Sequence, residues 1–154
     1  MAILFESSPL SVKRIFLPQK DKKRLERLVR AAGGTKEGHS SLVKDLTQKI
    51  QGYFQGRPID CTWDILDLRN LTELQKKVLY ETASIPYGSV RSYGEIAERV
   101  GHPKAARFIG ATMARNPFPI VIPCHRVIGA KGRVGGYGGG VELKRRLLQL
   151  ERAC

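Results

Sequence analysis

The sequence predicts an α/β N-terminal domain with a small antiparallel sheet over residues 1–68, then a mainly α C-terminal domain with a helix-turn-helix over residues 69–154. Three observations carry this fold class. Two short apolar runs, residues 2–6 and 12–17, are separated by Ser7, Ser8 and Pro9, which is the pattern of a hairpin. Two capping boxes, Thr72 with Gln75 and Ser92 with Glu95, each precede an apolar run of helical period. Gly101-His102-Pro103 then joins two helical runs closely enough for a helix-turn-helix.

The elements follow in order. After the hairpin, Asp21 can cap a helix whose Leu25, Leu28, Val29 and Ala32 form one stripe, stopped by Gly33 and Gly34. A polar loop to Ser41, with Gly38 and His39 in it, leads to a second helix. That helix sets Leu42, Leu46, Ile50 and Tyr53 on one face and ends near Gly56. Ile59, Cys61, Trp63 and Ile65 then alternate with Asp60, Thr62 and Asp64, the pattern of a half-buried strand with Cys61 in the core. A break falls at 67–71. The Thr72 helix carries Leu74, Val78 and Leu79 and is ended by Pro86 and Gly88; the Ser92 helix turns Ile96, Ala97 and Val100 inward. Pro103 suits the first turn of the next helix, which runs to about Ala114. A last helix, Val141 to Glu151, buries Leu143, Leu147, Leu148 and Leu150 and turns Lys144, Arg145 and Arg146 outward.

Composition narrows the class of function. The chain has 154 residues and is 42% hydrophobic, enough for a core, and no apolar run approaches the ~18 residues of a membrane span. Its start has no basic segment followed by a long apolar one, so no secretory signal is expected and the first strand reads as the beginning of a folded domain. The cysteines, Cys61, Cys124 and Cys154, are odd in number and widely spaced, and His39, His102 and His125 are scattered. That pattern points to free thiols in a reducing, intracellular setting, with no metal. The net charge is +13, with +5 over residues 1–69 and +8 over residues 70–154. Such an excess favours a polyanion, most often nucleic acid.

The chemistry centres on Asn116 to Val127, NPFPIVIPCHRV. Pro117, Pro119 and Pro123 fix φ and remove donors, so this is neither a helix nor a central strand. Ile120, Val121 and Ile122 suggest a short extended piece, with Pro123 turning the chain just before Cys124. A thiol near neutral pH is only a few per cent ionised and needs a base or a positive field to act as a nucleophile. His125 is the candidate base, although neighbours in an extended segment face opposite ways; contact with Cys124 then requires a turn or a bridging water. Glu151 is a carboxylate in a last helical turn, where the dipole disfavours it. It is explained if it orients an imidazole. Asn116 could order the turn.

The helix preceding this stretch is unusual. Ala105, Phe108, Ile109, Thr112 and Met113 share its core face, while the opposite face holds Pro103, Arg107, Gly110, Ala111 and Ala114. A solvated face normally carries several long charges; this one has a single arginine among small residues. It reads as a helix laid into a nucleic-acid groove with Arg107 as its probe. After the cysteine, residues 129–140 hold seven glycines in twelve positions, a loop where backbone approaches a ligand closely. No GK[ST] follows, so it is not a phosphate-binding loop. Work on a base in a duplex requires that base to be flipped out into a pocket. Arg107 can fill the gap, and Tyr93 and Tyr137 can stack on the base.

IPCHRV, together with KAARFIGATMARNP and VGGYGGG ahead of KRRLL, resembles the O6-alkylguanine-DNA alkyltransferases, also called methylated-DNA–protein-cysteine methyltransferases. The resemblance covers roughly residues 60–151 strongly and the first half in size and strand pattern. It implies single-turnover DNA repair in which Cys124 irreversibly accepts the alkyl group from O6-alkylguanine in duplex DNA, with O4-alkylthymine as a further substrate. It also implies that His125 acts through a water, with Glu151 behind it and Asn116 shaping the turn, and that Tyr93 protonates or hydrogen-bonds the departing guanine. Met113, Val127, Val134, Tyr137 and Gly138 would line the pocket. Arg107 would replace the flipped base, with Ala105, Ala106 and Gly110 against the minor groove and Ser92 and Lys104 as further DNA contacts. No cofactor is implied. A monomer is expected, with cooperative assembly along DNA left open, in the cytoplasm of a prokaryote or the nucleus of a eukaryote.

Two departures stand out. Some members hold zinc in the N-terminal domain through cysteines and histidines that this chain lacks, and some have serine at the place of Gly138. A related group carries tryptophan where this chain has Cys124. The rival readings are a non-catalytic module that binds alkylated DNA, with Cys124 merely packed, and a Cys-His hydrolase acting on acyl substrates.

Overall fold

The N-terminal hairpin is bent so that one face can reach the rest of the chain. In the computed structural model, which describes residues 1–7, 10–17, 21–34, 40–60 and 62–153, β1 (Ala2–Ser7) pairs antiparallel with β2 (Leu10–Phe16). Val12 and Ile15 are both buried although they are three residues apart. Strict alternation would put them on opposite faces. The register shifts between Leu4 and Phe5, leaving Lys13 as the extra residue of a bulge, and the bulge turns both side chains inward. Backbone bonds then fasten β2 to later parts of the chain: Ile15 N–H donates to Pro117 O in the second half (2.8 Å), and Asp67 N–H, at the end of the first half, donates to Val12 O (2.9 Å).

Helix α1 (Lys22–Ala31) is capped by Asp21, and α2 (Ser41–Tyr53) is the next described helix. The Leu25–Val29 stripe does not become core. No residue of α1 is buried, and Leu28 stays 39% exposed; the helix packs against both strands of the small hairpin. Helix α2 does bury Leu46, Ile50 and Tyr53. The strand expected from Ile59 to Ile65 is absent among the described residues: Trp63–Ile65 forms a 3-10 turn, and the Trp63 ring packs on Tyr80 at a tilt of 49° with centroids 4.3 Å apart. The alternation had no neighbouring strand to pair with beyond the single Val12–Leu66 bridge. Ser8, Pro9, Gly38, His39, Cys61 and Cys154 lie outside the described residues.

The second half is built from local signals that the structure realises. Helices α3 (Glu73–Ala83) and α4 (Tyr93–Arg99) both start with complete capping boxes. The end of α4 is a Schellman turn, in which His102 N–H donates to Ala97 O (2.8 Å) and Gly101 N–H to Glu98 O (2.9 Å). Gly101 has φ +81° there, where a side chain would be strained. Helix α5 (Ala106–Ala114) begins three residues after Pro103, because His102 to Ala105 closes a separate turn with Ala105 N–H on His102 O. Helix α6 (Val141–Leu150) closes the chain. A two-residue parallel pairing of β3 (Arg91–Ser92) with β4 (Val127–Ile128) ties the start of α4 to the segment after the cysteine.

One continuous buried cluster joins Val12, Ile15, Leu46 and Ile50 to Val78, Ile96, Ile109, Phe118 and Ile122. The two halves therefore share a core. Substituting Thr72→Ala should remove the α3 cap and cost about 1 kcal/mol. Ser40→Ala, at the start of α2 where the side chain makes no capping bond, should stay within about 0.5 kcal/mol. Urea denaturation of the two variants checks the contrast.

Candidate active site

Cys124 owes its position to a chain of tight turns. The Ile120–Ile122 run is not extended. It folds back so that Ile122 N–H donates to Phe118 O (2.8 Å), and buried Ile120 takes φ +76°. A β-branched residue in that region is strained by ~1–3 kcal/mol, and such strain persists where its surroundings impose it. Here Asn116 does so. Its Nδ2 donates to Ile122 O (3.0 Å), and its Oδ1 accepts from Phe118 N–H (3.0 Å). Pro123 (φ −79°, ψ 61°) then sits in an inverse γ-turn, closed by Cys124 N–H on Ile122 O (2.8 Å). Cys124–Arg126 forms a 3-10 turn, which lets adjacent residues serve one site.

The thiol lies at the floor of a cavity of about 520 Å³, lined among others by Met113, Asn116, Pro119, Tyr137 and Gly138, with Arg14, Phe16 and Leu28 contributed by the N-terminal half. Cys124 itself is 3% exposed. Burial pushes its thiol up from the ordinary value, against the neighbouring Asn116 and the Lys144 ammonium. The resting group is a thiol, so a base is needed.

His125 is the candidate for that base. It is fully buried, and its Nε2 lies 2.8 Å from Glu151 Oε1. Nε2 donates to the carboxylate, which leaves Nδ1 with a lone pair. Among the described residues Nδ1 has no partner, and neither does the buried hydroxyl of Tyr137. Burial lowers the His125 pKa more than Glu151 raises it, so the imidazole is neutral. No hydrogen bond joins Cys124 to His125 directly.

Glu151 is the best-partnered group of the site. Arg126 grips it with two donors, Nε on Oε2 (2.8 Å) and Nη2 on Oε1 (3.0 Å). Tyr53 donates to Oε1, and Gly88 N–H donates to Oε2 (3.2 Å). Burial alone would raise this carboxyl; the bonds from His125, Arg126 and Tyr53 bring it down to about 2.

Three residues of this network have no site role in the sequence pattern: Tyr53 lies on the apolar face expected of α2, Lys144 is expected outside on α6, and Arg126 has no expectation of its own. Lys144 is instead 1% exposed. It shares the face of Leu147, Leu148 and Glu151, passes the Tyr93 ring at 5.7 Å and donates to Val127 O (2.6 Å). Its i, i+3, i+4, i+7 spacing to those residues was the available signal.

The remaining candidates are distributed as follows. Tyr93, first residue of α4, stands close enough to Cys124 to be affected by it; burial raises its pKa first, so its hydroxyl keeps its proton. That hydroxyl packs on Gly135, where an added Cβ would come within 3.1 Å of it. Val127 is buried beneath the site and Val134 is half-buried in the loop; neither lines the cavity. Ser92 is the α4 cap, accepting from Glu95 N–H (3.1 Å). Lys104 and Arg107 are exposed, Ala105, Ala106 and Gly110 half-buried, and Ala111 and Ala114 exposed. The bare face of α5 is therefore open surface. Among the described residues no cluster of three or more His, Cys, Asp or Glu could hold a metal ion.

A family model described as 6-O-methylguanine DNA methyltransferase, DNA binding domain, matches residues 73–153. The chain belongs to the 6-O-methylguanine DNA methyltransferase family. A relative from Methanosarcina acetivorans, named methylated-DNA–protein-cysteine methyltransferase, is 42% identical over 116 residues, 75% of this chain and 73% of its own. A Mycobacterium tuberculosis protein of the same name is 48% identical over 106 residues, 68% of this chain; the chain spans 62% of that relative's length. Among solved structures, that of M. tuberculosis OGT in complex with DNA aligns at TM-score 0.64 and 46% identity over 70% of this chain and 65% of that one. The O6-methylguanine-DNA methyltransferase of Pyrococcus kodakaraensis aligns at 0.62 and 29% identity over 84% of this chain and 77% of that one. The methyltransferase fold thus extends into the N-terminal half.

The buried pair fixes how stability should respond to acid. His125 has a lowered folded pKa, so below the ordinary 6.5 the unfolded chain takes up a proton that the folded chain refuses, and stability falls. Glu151 is depressed from 4.5 to about 2. Its contribution is present above pH 4.5 and is lost as the pH falls toward 2. Urea titrations at a series of pH values should show both declines; a curve flat from pH 7 to 5 contradicts a neutral buried histidine.

Proposed function

We propose that this protein repairs DNA by direct reversal, transferring the alkyl group of O6-alkylguanine in duplex DNA irreversibly to Cys124 after base flipping. The observation that carries this reading is a buried thiol on the floor of an open cavity, beside a neutral imidazole whose free nitrogen is unpartnered. His125 Nδ1 takes the thiol proton, through a water in the gap between them. Sγ attacks the alkyl carbon, the S–C bond forms as the C–O6 bond breaks, and guanine leaves with the electron pair. Tyr93, which keeps its proton, hydrogen-bonds or protonates the departing base. The proton on His125 restores the balance through solvent, so no cofactor takes part and O4-alkylthymine fits the same scheme. The thioether has no leaving step, so each molecule acts once.

The open face of α5 supports duplex DNA as the partner. A Cβ on Gly110 would meet Tyr93 no closer than 3.9 Å, an ordinary contact, so internal packing does not demand glycine there. Close approach by an outside surface does. Arg107 then enters the duplex in place of the flipped base, Ala105, Ala106 and Gly110 face the minor groove, and Ser92 and Lys104 hold the backbone. Met113, Tyr137 and Gly138 enclose the base, with Val127 and Val134 supporting the pocket from behind. Residues 69–154 carry the reaction, and residues 1–68 close the cavity. The protein works as a monomer inside the cell, where the DNA is. No helix among the described residues is long and apolar enough to cross a membrane.

Mixing the protein with a duplex bearing one O6-methylguanine should yield one methyl per protein, located on Cys124 by peptide mapping and saturating at one equivalent. Unmodified protein that retains the lesion would instead mark a binding module, and repeated turnover of acyl esters a hydrolase. Arg107→Ala should slow transfer from duplex about tenfold or more, as loss of a well-placed contact of ~1.5–3 kcal/mol predicts, while leaving reaction with free O6-benzylguanine within about twofold. Single-turnover rates on both substrates make the comparison, and equal losses would exclude a duplex-specific role.

A further inference from the structure

One hydrogen bond of the site comes from the half of the chain that the family model does not cover. Tyr53 ends α2, outside residues 73–153, and is fully buried. Its hydroxyl donates to Glu151 Oε1 and lies 3.0 Å from His125 Nε2. The same carboxylate oxygen is 2.8 Å from that nitrogen, so the three atoms form a closed triangle. A phenol has one proton. Burial, and then Glu151, hold it on Tyr53, and it is committed to the carboxylate. The phenol oxygen therefore offers lone pairs to the imidazole. With acceptors on both sides, Nε2 carries the ring proton and Nδ1 is left as the basic atom.

Resting on the reading of the site given above, we propose that Tyr53 is a positioning residue of the transfer reaction: its hydroxyl holds His125 in the Nε2–H form and weakens the pull of Glu151 on the imidazole. The second effect matters because a buried carboxylate beside an imidazole stabilises the imidazolium, which cannot act as a base. Every donor placed on Oε1 draws off part of that charge. Arg126 Nη2 is the cationic donor there and Tyr53 the neutral one. The other groups facing His125 are Arg126 and Lys144, both disfavouring a positive imidazole, and Tyr137, whose ring is 6.5 Å away. All of these come from the second half of the chain. Tyr53 makes the first half a contributor to proton transfer as well as to the cavity wall.

Tyr53→Phe in the full chain keeps the ring and removes the hydroxyl. Two readouts apply: the tautomer and titration of His125 by nitrogen-15 NMR, and single-turnover transfer from an O6-methylguanine duplex across pH. With one donor fewer on Glu151, the imidazolium is better stabilised. The His125 midpoint and the acid limb of the rate profile should both move up by about one pH unit, with rates converging at high pH and DNA affinity unchanged. If the midpoint and the profile stay where they are, the proposal fails whatever the rate, because a purely structural tyrosine would lower stability without moving either. Wild-type protein provides a second check that needs no variant: an Nδ1–H tautomer of His125 overturns the assignment. Absence of transfer in wild type would count against the site reading, while the NMR titration would still decide the role of Tyr53.

Discussion

The constraint on which the rest of this structure depends is the burial of one carboxylate. Glu151 sits at the C-terminal end of α6, where the helix dipole opposes a negative charge, and it is 3% exposed. A lone buried charge is not tolerable, so the fold brings four donor residues to it from three places: Tyr53 from α2, Gly88 from the turn after α3, and His125 and Arg126 from the turn at the cysteine. Gly88 has φ +77°, and an added Cβ would come within 3.0 Å of Glu151 O. The chain there must be bare to deliver its N–H. Losing one partner of such a group typically costs ~3–5 kcal/mol, because the other charge stays behind. The site and the tertiary structure are therefore one arrangement. The elements that hold Glu151 are the same ones that hold the imidazole beside the thiol.

A second consequence concerns when the cysteine is reactive. Burial keeps the thiol protonated and the imidazole neutral, and the direct hydrogen bond that would make a standing ion pair is missing. A protonated, shielded thiol is a poor target for soluble electrophiles and oxidants, whose rates follow thiolate character and exposure. On the reading proposed above the nucleophile is spent once, and this protection matters more than speed. The free Nδ1 would then supply the base when a reacting carbon arrives, coupling activation to occupancy of the cavity.

What the sequence disclosed was mostly local. The two capping boxes, the glycine after α4 and the turn role of Asn116 each involve residues within six positions of one another, and all are present. Glu151 beside His125 was legible because a carboxylate at a helix C-terminus asks for a partner. Tyr53 was not, since 98 residues separate it from Glu151 and a tyrosine on an apolar face looks like packing. Lys144 is buried where its charge suggested solvent, because its helical period with Leu147, Leu148 and Glu151 decides its face, and Arg126 had no local feature to mark it. The strand expected at Ile59–Ile65 failed for the opposite reason: a local pattern existed with almost nothing across from it to pair. The apolar stripe of α1 similarly predicted a buried face, but Leu28 lines the open cavity at Cys124 and stays exposed there.

The bare face of α5 completes the physical argument. A helix that reads base edges needs long polar side chains, since sequence is read by hydrogen bonds in the groove. Gly110, Ala111 and Ala114 make no such bonds. If α5 meets a duplex as proposed, they contribute closeness of approach, and the attraction falls to the cations around them, within a net charge of +13. Phosphate contacts of that kind carry affinity without sequence information. On the proposed reading a lesion is defined by one altered base and can lie in any sequence, so selectivity belongs in the cavity at Cys124 rather than on the helix. The small residues of α5 and the buried cluster behind Cys124 would then divide the work between an undiscriminating surface and a discriminating pocket.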